Sequence, residues 1–109
     1  MVSGTKNQVA YIDYGVHVLG ESNYVDNACN GAFICGGQNN VQRINHSFIS
    51  GSSNVVANYN QGFITGSHNT ADSGWATITA GNNNKIKDTS LSFINGSSNV
   101  LGNVYNSII

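Results

Sequence analysis

The chain has 109 residues, with 4 basic and 5 acidic side chains, a net charge of −1 and no proline. This length corresponds to one domain. The charge balance excludes the basic surface that would attract nucleic acid or an anionic membrane, and no stretch approaches the roughly 18 apolar residues needed for membrane insertion. The chain is rich in asparagine (18), glycine (13) and serine (13) and poor in strong helix formers, which argues against long helices.

In chain order, residues 1–16 fit the repeat poorly and are predicted to form an N-terminal cap or linker. An irregular copy of a repeat starts at His17. Regular copies then start every 15 residues, at Phe33, Phe48, Phe63, Ile78 and Phe93. Residues 17–109 are therefore predicted as one repeat domain of five full coils and one irregular coil, which is cut inside a further copy at its C-terminal end.

Each copy follows the pattern F-I-x-G-x-x-N-x-[VILA], so equivalent residues form columns when the copies are stacked. The phenylalanine column is Phe33, Phe48, Phe63, Ile78 and Phe93, and the isoleucine column is Ile34, Ile49, Ile64, Thr79 and Ile94. The glycine column is Gly36, Gly51, Gly66, Gly81 and Gly96, and the asparagine column is Asn39, Asn54, Asn69, Asn84 and Asn99. The valine column is Val41, Val56, Ala71, Ile86 and Leu101.

This period predicts an all-β fold, a parallel β-roll or β-solenoid with coils of about 15 residues. Fifteen residues are too few for the helix pairs of helical solenoids, but they fit two short strands and two tight turns, with coils stacked about 4.8 Å apart. The glycine column indicates a backbone with positive φ, or one too crowded for a Cβ atom. The asparagine column predicts an internal ladder in which each amide bonds its own turn and the amide of the next coil.

Adjacent residues on a strand face opposite sides of the sheet, so the phenylalanine and isoleucine columns cannot both line the interior. We expect the phenylalanine column to pack inside against the valine column, because the Thr79 hydroxyl is more easily satisfied on the outer surface. The isoleucine column, with Thr79, would then form an external apolar stripe and serve as an oligomer interface.

The motif resembles a known family of repeats. The stretch from Asn45 to Gly51, N-H-S-F-I-S-G, and the stretch from Ser92 to Gly96 resemble the YadA-like head repeats of trimeric autotransporter adhesins and related repeats of trimeric phage or viral tail fibres. The resemblance implies a left-handed β-roll that assembles as a homotrimer. The sequence departs from the family pattern in its 15-residue unit, in its Phe-Ile pair and in the residue that separates this pair from glycine.

The cysteines bear on the origin of the chain. Cys29 and Cys35 are six residues apart, and no further ligands stand at a spacing that suits a metal. We therefore interpret them as free thiols, which suit a fibre assembled in a reducing cytoplasm better than an exported adhesin. This favours an extracellular virion fibre over the bacterial cell surface.

No catalytic, metal or cofactor site is predicted, and we do not expect an enzyme. Asp72 and Asp88 could form a carboxylate pair, but Asp72 shares its column with Lys87, so a surface ion pair is the simpler interpretation. The histidines His17, His46 and His68 fall in different columns.

Surface recognition is the predicted activity, and Tyr59, Trp75 and Tyr105 are its candidate residues. Such aromatic rings can bind a host-surface glycan or a protein receptor; alternatively, and more economically, they fill grooves between the chains of a trimer. The leading hypothesis is an attachment-fibre segment of a phage or virus, and the alternative is a bacterial adhesin head. A glycan-degrading tailspike is less favoured, as is an ice-binding solenoid, because Thr65, Thr70, Thr77 and Thr79 form no single column.

Overall fold

The computed structural model describes residues 1–11, 14–27, 31–88 and 90–109. The secondary structure in these ranges consists of β-strands, which are numbered in chain order. The odd-numbered strands form a first sheet and the even-numbered strands form a second. The first sheet comprises β1 (Val2–Thr5), β3 (His17–Glu21), β5 (Phe33–Gly37), β7 (Phe48–Ser52), β9 (Phe63–Ser67), β11 (Ile78–Asn82) and β13 (Phe93–Ser97). The second comprises β2 (Gln8–Ala10), β4 (Tyr24–Asp26), β6 (Asn40–Gln42), β8 (Val55–Ala57), β10 (Thr70–Asp72), β12 (Lys85–Lys87) and β14 (Val100–Gly102).

Every neighbouring pair of strands is parallel and in register with the repeat. Phe48 pairs with Phe63, Ile49 with Ile64 and Gly51 with Gly66, and Val56 pairs with Ala71 in the other sheet. The predicted parallel β-solenoid with 15-residue coils is thereby confirmed. The Cα atoms fill a flattened rod of 35 × 22 × 13 Å.

Each coil has a third side that the prediction of two strands and two turns missed. A ladder of single bridges joins Asn45, Asn60, Trp75, Ser90 and Tyr105 in successive coils. Three corners in the left-handed region separate the three sides; in one coil they are Ser53 (φ 56°), Asn58 (φ 56°) and Gln61 (φ 59°). Because such corners recur coil after coil, the chain closes into three sides of unequal length.

Strands β1 and β2, near the start of the sequence, stack on the strands of the next coil. Val2 pairs with Val18 and Gly4 with Gly20 in the first sheet, and Val9 pairs with Val25 in the second. These two strands lie within the segment predicted as a cap or linker, and they continue the backbone ladders of both sheets.

The asparagine column forms the predicted ladder inside the coil. Asn39 Nδ2 donates to Asn23 Oδ1 at 3.0 Å and to the carbonyl oxygen of Gly51 at 3.0 Å, and Asn54 repeats the pattern with Asn39 and Gly66. The whole column is buried apart from Asn99, which is half-buried. A buried amide is tolerated at each rung because its donors and its acceptor are used.

The glycine column shows both features that predicted glycine, a positive φ and a backbone too crowded for a Cβ atom. The φ angles of Gly36, Gly51, Gly66, Gly81 and Gly96 lie between 110° and 117°. A Cβ atom on Gly66 would overlap the carbonyl oxygen of Gly81 in the next coil. The stacking distance of the coils therefore depends on the absence of a side chain at this position.

The predicted assignment of the two apolar columns is wrong. Ile34, Ile49, Ile64, Thr79 and Ile94 are 0% exposed and form the interior wall of the first sheet, so they are not available as an oligomer interface. Phe33 and Phe48 are half-buried on the outer face, and Phe63, Ile78 and Phe93 are 42%, 41% and 41% exposed, so they are not the roll core. The valine column lines the interior as predicted, with Leu101 half-buried.

The physical reason for this reversal lies in the residues that precede each phenylalanine. Ala32, Ser47, Thr77 and Ser92 are buried, as is Gly62. This position therefore points inward, and strand alternation then places the phenylalanine outside and the isoleucine inside. The Thr79 hydroxyl, which the prediction placed outside, is buried and makes no hydrogen bond. The other coils set which residues of the strand face inward. The stability gained by keeping this arrangement outweighs the cost of one unpaired buried hydroxyl, about 1–3 kcal/mol.

Candidate functional site

The outer face of the first sheet carries a stack of aromatic rings. The rings of Phe33 and Phe48 lie 5.4 Å apart at 2° to each other, and those of Phe48 and Phe63 lie 5.0 Å apart at 12°. His17 continues the stack, with its ring 6.2 Å from that of Phe33. Because identical side chains repeat at the spacing of the coils, their rings align into one apolar stripe along the rod.

The same face has almost no charge. The strands from β5 to β13 in the first sheet contain no Asp, Glu, Lys or Arg. In contrast, the second sheet carries Asp26, Asp72, Lys85 and Lys87. The charged residues are thus concentrated on the second sheet, and the first sheet presents a face suited to contact with another surface.

Small side chains flank the phenylalanine stripe. Two residues after Phe33, Phe48, Phe63 and Ile78 stand Cys35, Ser50, Thr65 and Ala80, all half-buried. Cys35 Sγ donates a hydrogen bond to Ser50 Oγ at 3.3 Å, and Cys35 is a free thiol in the structure. Cys29, the other predicted thiol, lies outside the described residues. The small neighbours leave the phenylalanine rings as the ridge of an otherwise flat face.

An apolar groove of about 400 Å³ continues this stripe toward the C-terminal coils. It lies between neighbouring coils and is lined by Ile78, Leu91, Phe93 and Ile108 together with small and amide residues. Leu91 is 52% exposed and Ile108 is 86% exposed. The exposed apolar surface therefore extends around the corner between the first sheet and the third side of the coil.

The three predicted recognition residues separate into two environments. Tyr59 is 1% exposed and belongs to the core, so its prediction as a surface residue is wrong. Its ring fits because Gly74 and Gly62 carry no side chain: a Cβ atom on Gly74 would overlap the ring, and one on Gly62 would lie 2.9 Å from Tyr59 Cδ1. Tyr59 directly precedes the third-side ladder, so strand alternation turns it inward.

Trp75 and Tyr105 are exposed, as predicted. Trp75 is 49% exposed and Tyr105 is 63% exposed. Both belong to the third-side ladder, with Ser90 between them in the intervening coil. They therefore lie two coils apart, roughly 9–10 Å along the rod.

The candidate carboxylates lie on the second sheet and its corner. Asp72 Oδ1 accepts hydrogen bonds from Ser73 Oγ at 3.1 Å and from Asn58 Nδ2 at 3.4 Å. Asp72 stands in register with Lys87, and the main-chain N–H of Asp88 donates to the carbonyl oxygen of Asp72. Among the residues that the structure describes, no three His, Cys, Asp or Glu side chains come together in a way that could hold a metal ion.

Comparison with known proteins finds no family model that matches the sequence and no curated protein that matches it. In the described part of the chain, no helix has the length and apolar character required to cross a membrane.

Proposed function

We propose that the chain is a segment of an attachment fibre, in which three copies of a left-handed solenoid pack side by side through the outer face of the first sheet. The observation that supports this proposal is the phenylalanine column, an apolar stripe on a face that has no charged side chain from β5 to β13. The parent protein would be a phage or viral tail fibre, or alternatively the head of a bacterial trimeric adhesin.

The energetics support association through this face. Phe63 and Phe93 are each about two-fifths exposed, so each ring leaves apolar surface in contact with water. Covering apolar surface stabilises a complex by about 25 cal/mol per Å², and the same gain recurs at every coil along the stripe. The charged second sheet offers no comparable stripe, so it is expected to face the solvent.

A fibre uses this architecture in two ways. Each added repeat lengthens the rod by one coil, so reach grows with repeat number without a change of fold. Packing through the first sheet leaves the second sheet and the third side outside, and three copies present each surface feature three times. Such repetition raises the strength of attachment through multivalency.

The half-buried Cys35 thiol, which is hydrogen-bonded to Ser50, supports a phage or viral fibre as the parent protein. A free thiol on a face proposed to lie between copies persists most easily when assembly takes place in a reducing compartment. This fits a fibre assembled in the cytoplasm of a host cell better than a bacterial adhesin, which is exported before it assembles.

The mass of the native protein tests the proposal. We expect the full chain to have the mass of a trimer by light scattering, and the Phe63→Asp variant to have the mass of a monomer. The matched control is Val55→Asp, because Val55 is 45% exposed on the second sheet and Phe63 is 42% exposed on the first. This variant should stay trimeric. A monomeric native chain, or equal dissociation of both variants, would contradict the proposal.

A further inference from the structure

The third side of the coil has widely spaced aromatic rings on a ladder of uncharged residues, with charged side chains such as Arg43 and Asp88 at its corners. Its ladder consists of Asn45, Asn60, Trp75, Ser90 and Tyr105, none of them charged. The corner residues that flank Trp75 are Ser73 and Ala76. This combination of aromatic faces with neutral donors and acceptors suits an uncharged ligand that has both apolar and hydroxyl-bearing surfaces.

We propose that this side binds a neutral, extended β-1,4-linked glycan lying along the rod, with sugar rings stacked on Trp75 and Tyr105. The inference rests on the proposed function, because it names the ligand that an attachment fibre of this structure would hold.

The spacing of the two aromatic residues along the third-side ladder carries the assignment. Successive coils are about 4.8 Å apart, and an extended β-1,4-linked chain advances by slightly more than one coil spacing per sugar. Alternate sugars of such a chain present the same face. Trp75 and Tyr105 stand on alternate coils, and Ser90, between them, is small. A trisaccharide therefore places its first and third rings on the two aromatic side chains and its second ring over Ser90.

The neighbouring coils would hold the rest of the glycan by hydrogen bonds. Asn60 is exposed in the coil before Trp75, and its side-chain amide can donate to and accept from sugar hydroxyl groups. The glycan site would therefore extend beyond the trisaccharide, and affinity should keep rising as the oligosaccharide reaches Asn60.

The site remains accessible in the proposed trimer. Trp75 is separated from the phenylalanine column by the left-handed corner at Ala76, so the two lie on different sides of the coil. Copies that pack through the first sheet would leave the third side facing the solvent.

The fluorescence of Trp75, the single tryptophan of the chain, tests the assignment. Titration of the full chain with chito- and cello-oligosaccharides should change its emission, with an affinity about tenfold higher for the trisaccharide than for the disaccharide. Maltohexaose, an α-1,4-linked chain that coils, should cause no change. An unchanged emission with the β-1,4-linked series up to millimolar concentration, or an equal response to maltohexaose, would overturn the proposal.

Variants of the second aromatic residue test the spacing. Tyr105→Ala should abolish the preference for the trisaccharide, and so should the double variant Ser90→Tyr with Tyr105→Ser, which keeps two rings but places them on adjacent coils. Tyr24→Ala is the matched control, because Tyr24 is 41% exposed on the second sheet; it should bind as the native chain does. Native binding by Tyr105→Ala would overturn the proposal, provided that circular dichroism shows the same fold.

Acrylamide quenching separates this proposal from the assembly of the fibre. In the native protein, Trp75 should be quenched as readily as in the Phe63→Asp variant. A trimer in which Trp75 is protected until Phe63→Asp dissociates it would place the third side between copies, which overturns the glycan site and leaves the assembly intact. A monomer that binds the β-1,4-linked series would retain the glycan site and overturn the assembly.

Discussion

Asn54 is tied to Asn39 of the preceding coil by two hydrogen bonds to one atom. Its main-chain N–H and its side-chain Nδ2 both donate to Asn39 Oδ1, each at 3.1 Å. The Oδ1 atom of Asn54 accepts in turn from the main-chain N–H of Asn69 at 3.0 Å. The side chain therefore completes the backbone bonding of two turns, and the ladder links adjacent coils through the interior.

We expect Asn54→Ala to lower the free energy of unfolding by about 3 kcal/mol, because it leaves the buried Asn69 N–H and the Gly66 carbonyl without this partner. Asn40→Ala is the control, since Asn40 is exposed on the adjacent strand; its effect should stay within about 0.5 kcal/mol. Urea denaturation at fixed protein concentration measures both. Equal effects of the two substitutions would show that the ladder adds no stability.

The glycine column predicts a difference between two identical substitutions. Gly66→Ala would bring a Cβ atom into the carbonyl oxygen of Gly81, whereas a Cβ atom on Gly15 would lie 3.5 Å from the main-chain nitrogen of Gly31, an ordinary contact. Both residues have positive φ, 110° and 74°. Gly15→Ala should therefore cost only the backbone strain, about 1–3 kcal/mol, and Gly66→Ala at least about 4 kcal/mol.

Thermal denaturation of the two glycine variants checks this difference. If Gly66→Ala were no less stable than Gly15→Ala, crowding between coils would not be the reason for glycine at position 66.

Tyr59 and Gly74 should be energetically coupled. A Cβ atom on Gly74 would overlap the Tyr59 ring, so Gly74→Ala should cost about 2–3 kcal/mol in the native background. In a Tyr59→Val background the ring is gone, and the same substitution should be nearly neutral. A double-mutant cycle by urea denaturation measures the coupling; additive effects would mean that Gly74 is not required to accommodate the ring.

The corners predict a stabilising substitution. Arg43 is exposed and has a φ of 53°, a conformation that asparagine adopts more easily than arginine. Arg43→Asn should raise the free energy of unfolding by about 1 kcal/mol. The adjacent Gln42 lies in strand β6, where asparagine is disfavoured, so Gln42→Asn should not stabilise. A chemical-denaturation midpoint that rises for Gln42→Asn and not for Arg43→Asn would contradict the assignment.

The sequence was sufficient for those features that each coil repeats on its own. The spacing of Gly51 and Gly66 predicted stacked coils, and the register of Asn39 and Asn54 predicted the internal ladder; both follow from local chemistry. The third side was missed because only scattered apolar residues, such as Ile44 and Tyr59, indicate it. These residues face inward, as an interior wall of the third side requires.

Strand alternation did not determine which of Phe48 and Ile49 faces inward. It requires only that the two side chains lie on opposite faces of the sheet. The prediction placed the isoleucine column outside because of the Thr79 hydroxyl. The packing of all the other coils outweighs the preference of this one polar atom. A better signal was the confinement of the preceding position to small residues such as Ser47 and Gly62, since crowded interior positions exclude large side chains. Alternation from that position places Phe48 outside.

The central claim is that the isoleucine column faces inward and the phenylalanine column faces outward. Circular dichroism of two variants at neighbouring positions tests it most directly. Ile64→Asp places a carboxylate at a site that is 0% exposed and should abolish the β-sheet spectrum. Phe63→Asp alters a ring that is 42% exposed and should retain the spectrum. A folded Ile64→Asp variant beside an unfolded Phe63→Asp variant would contradict the structure.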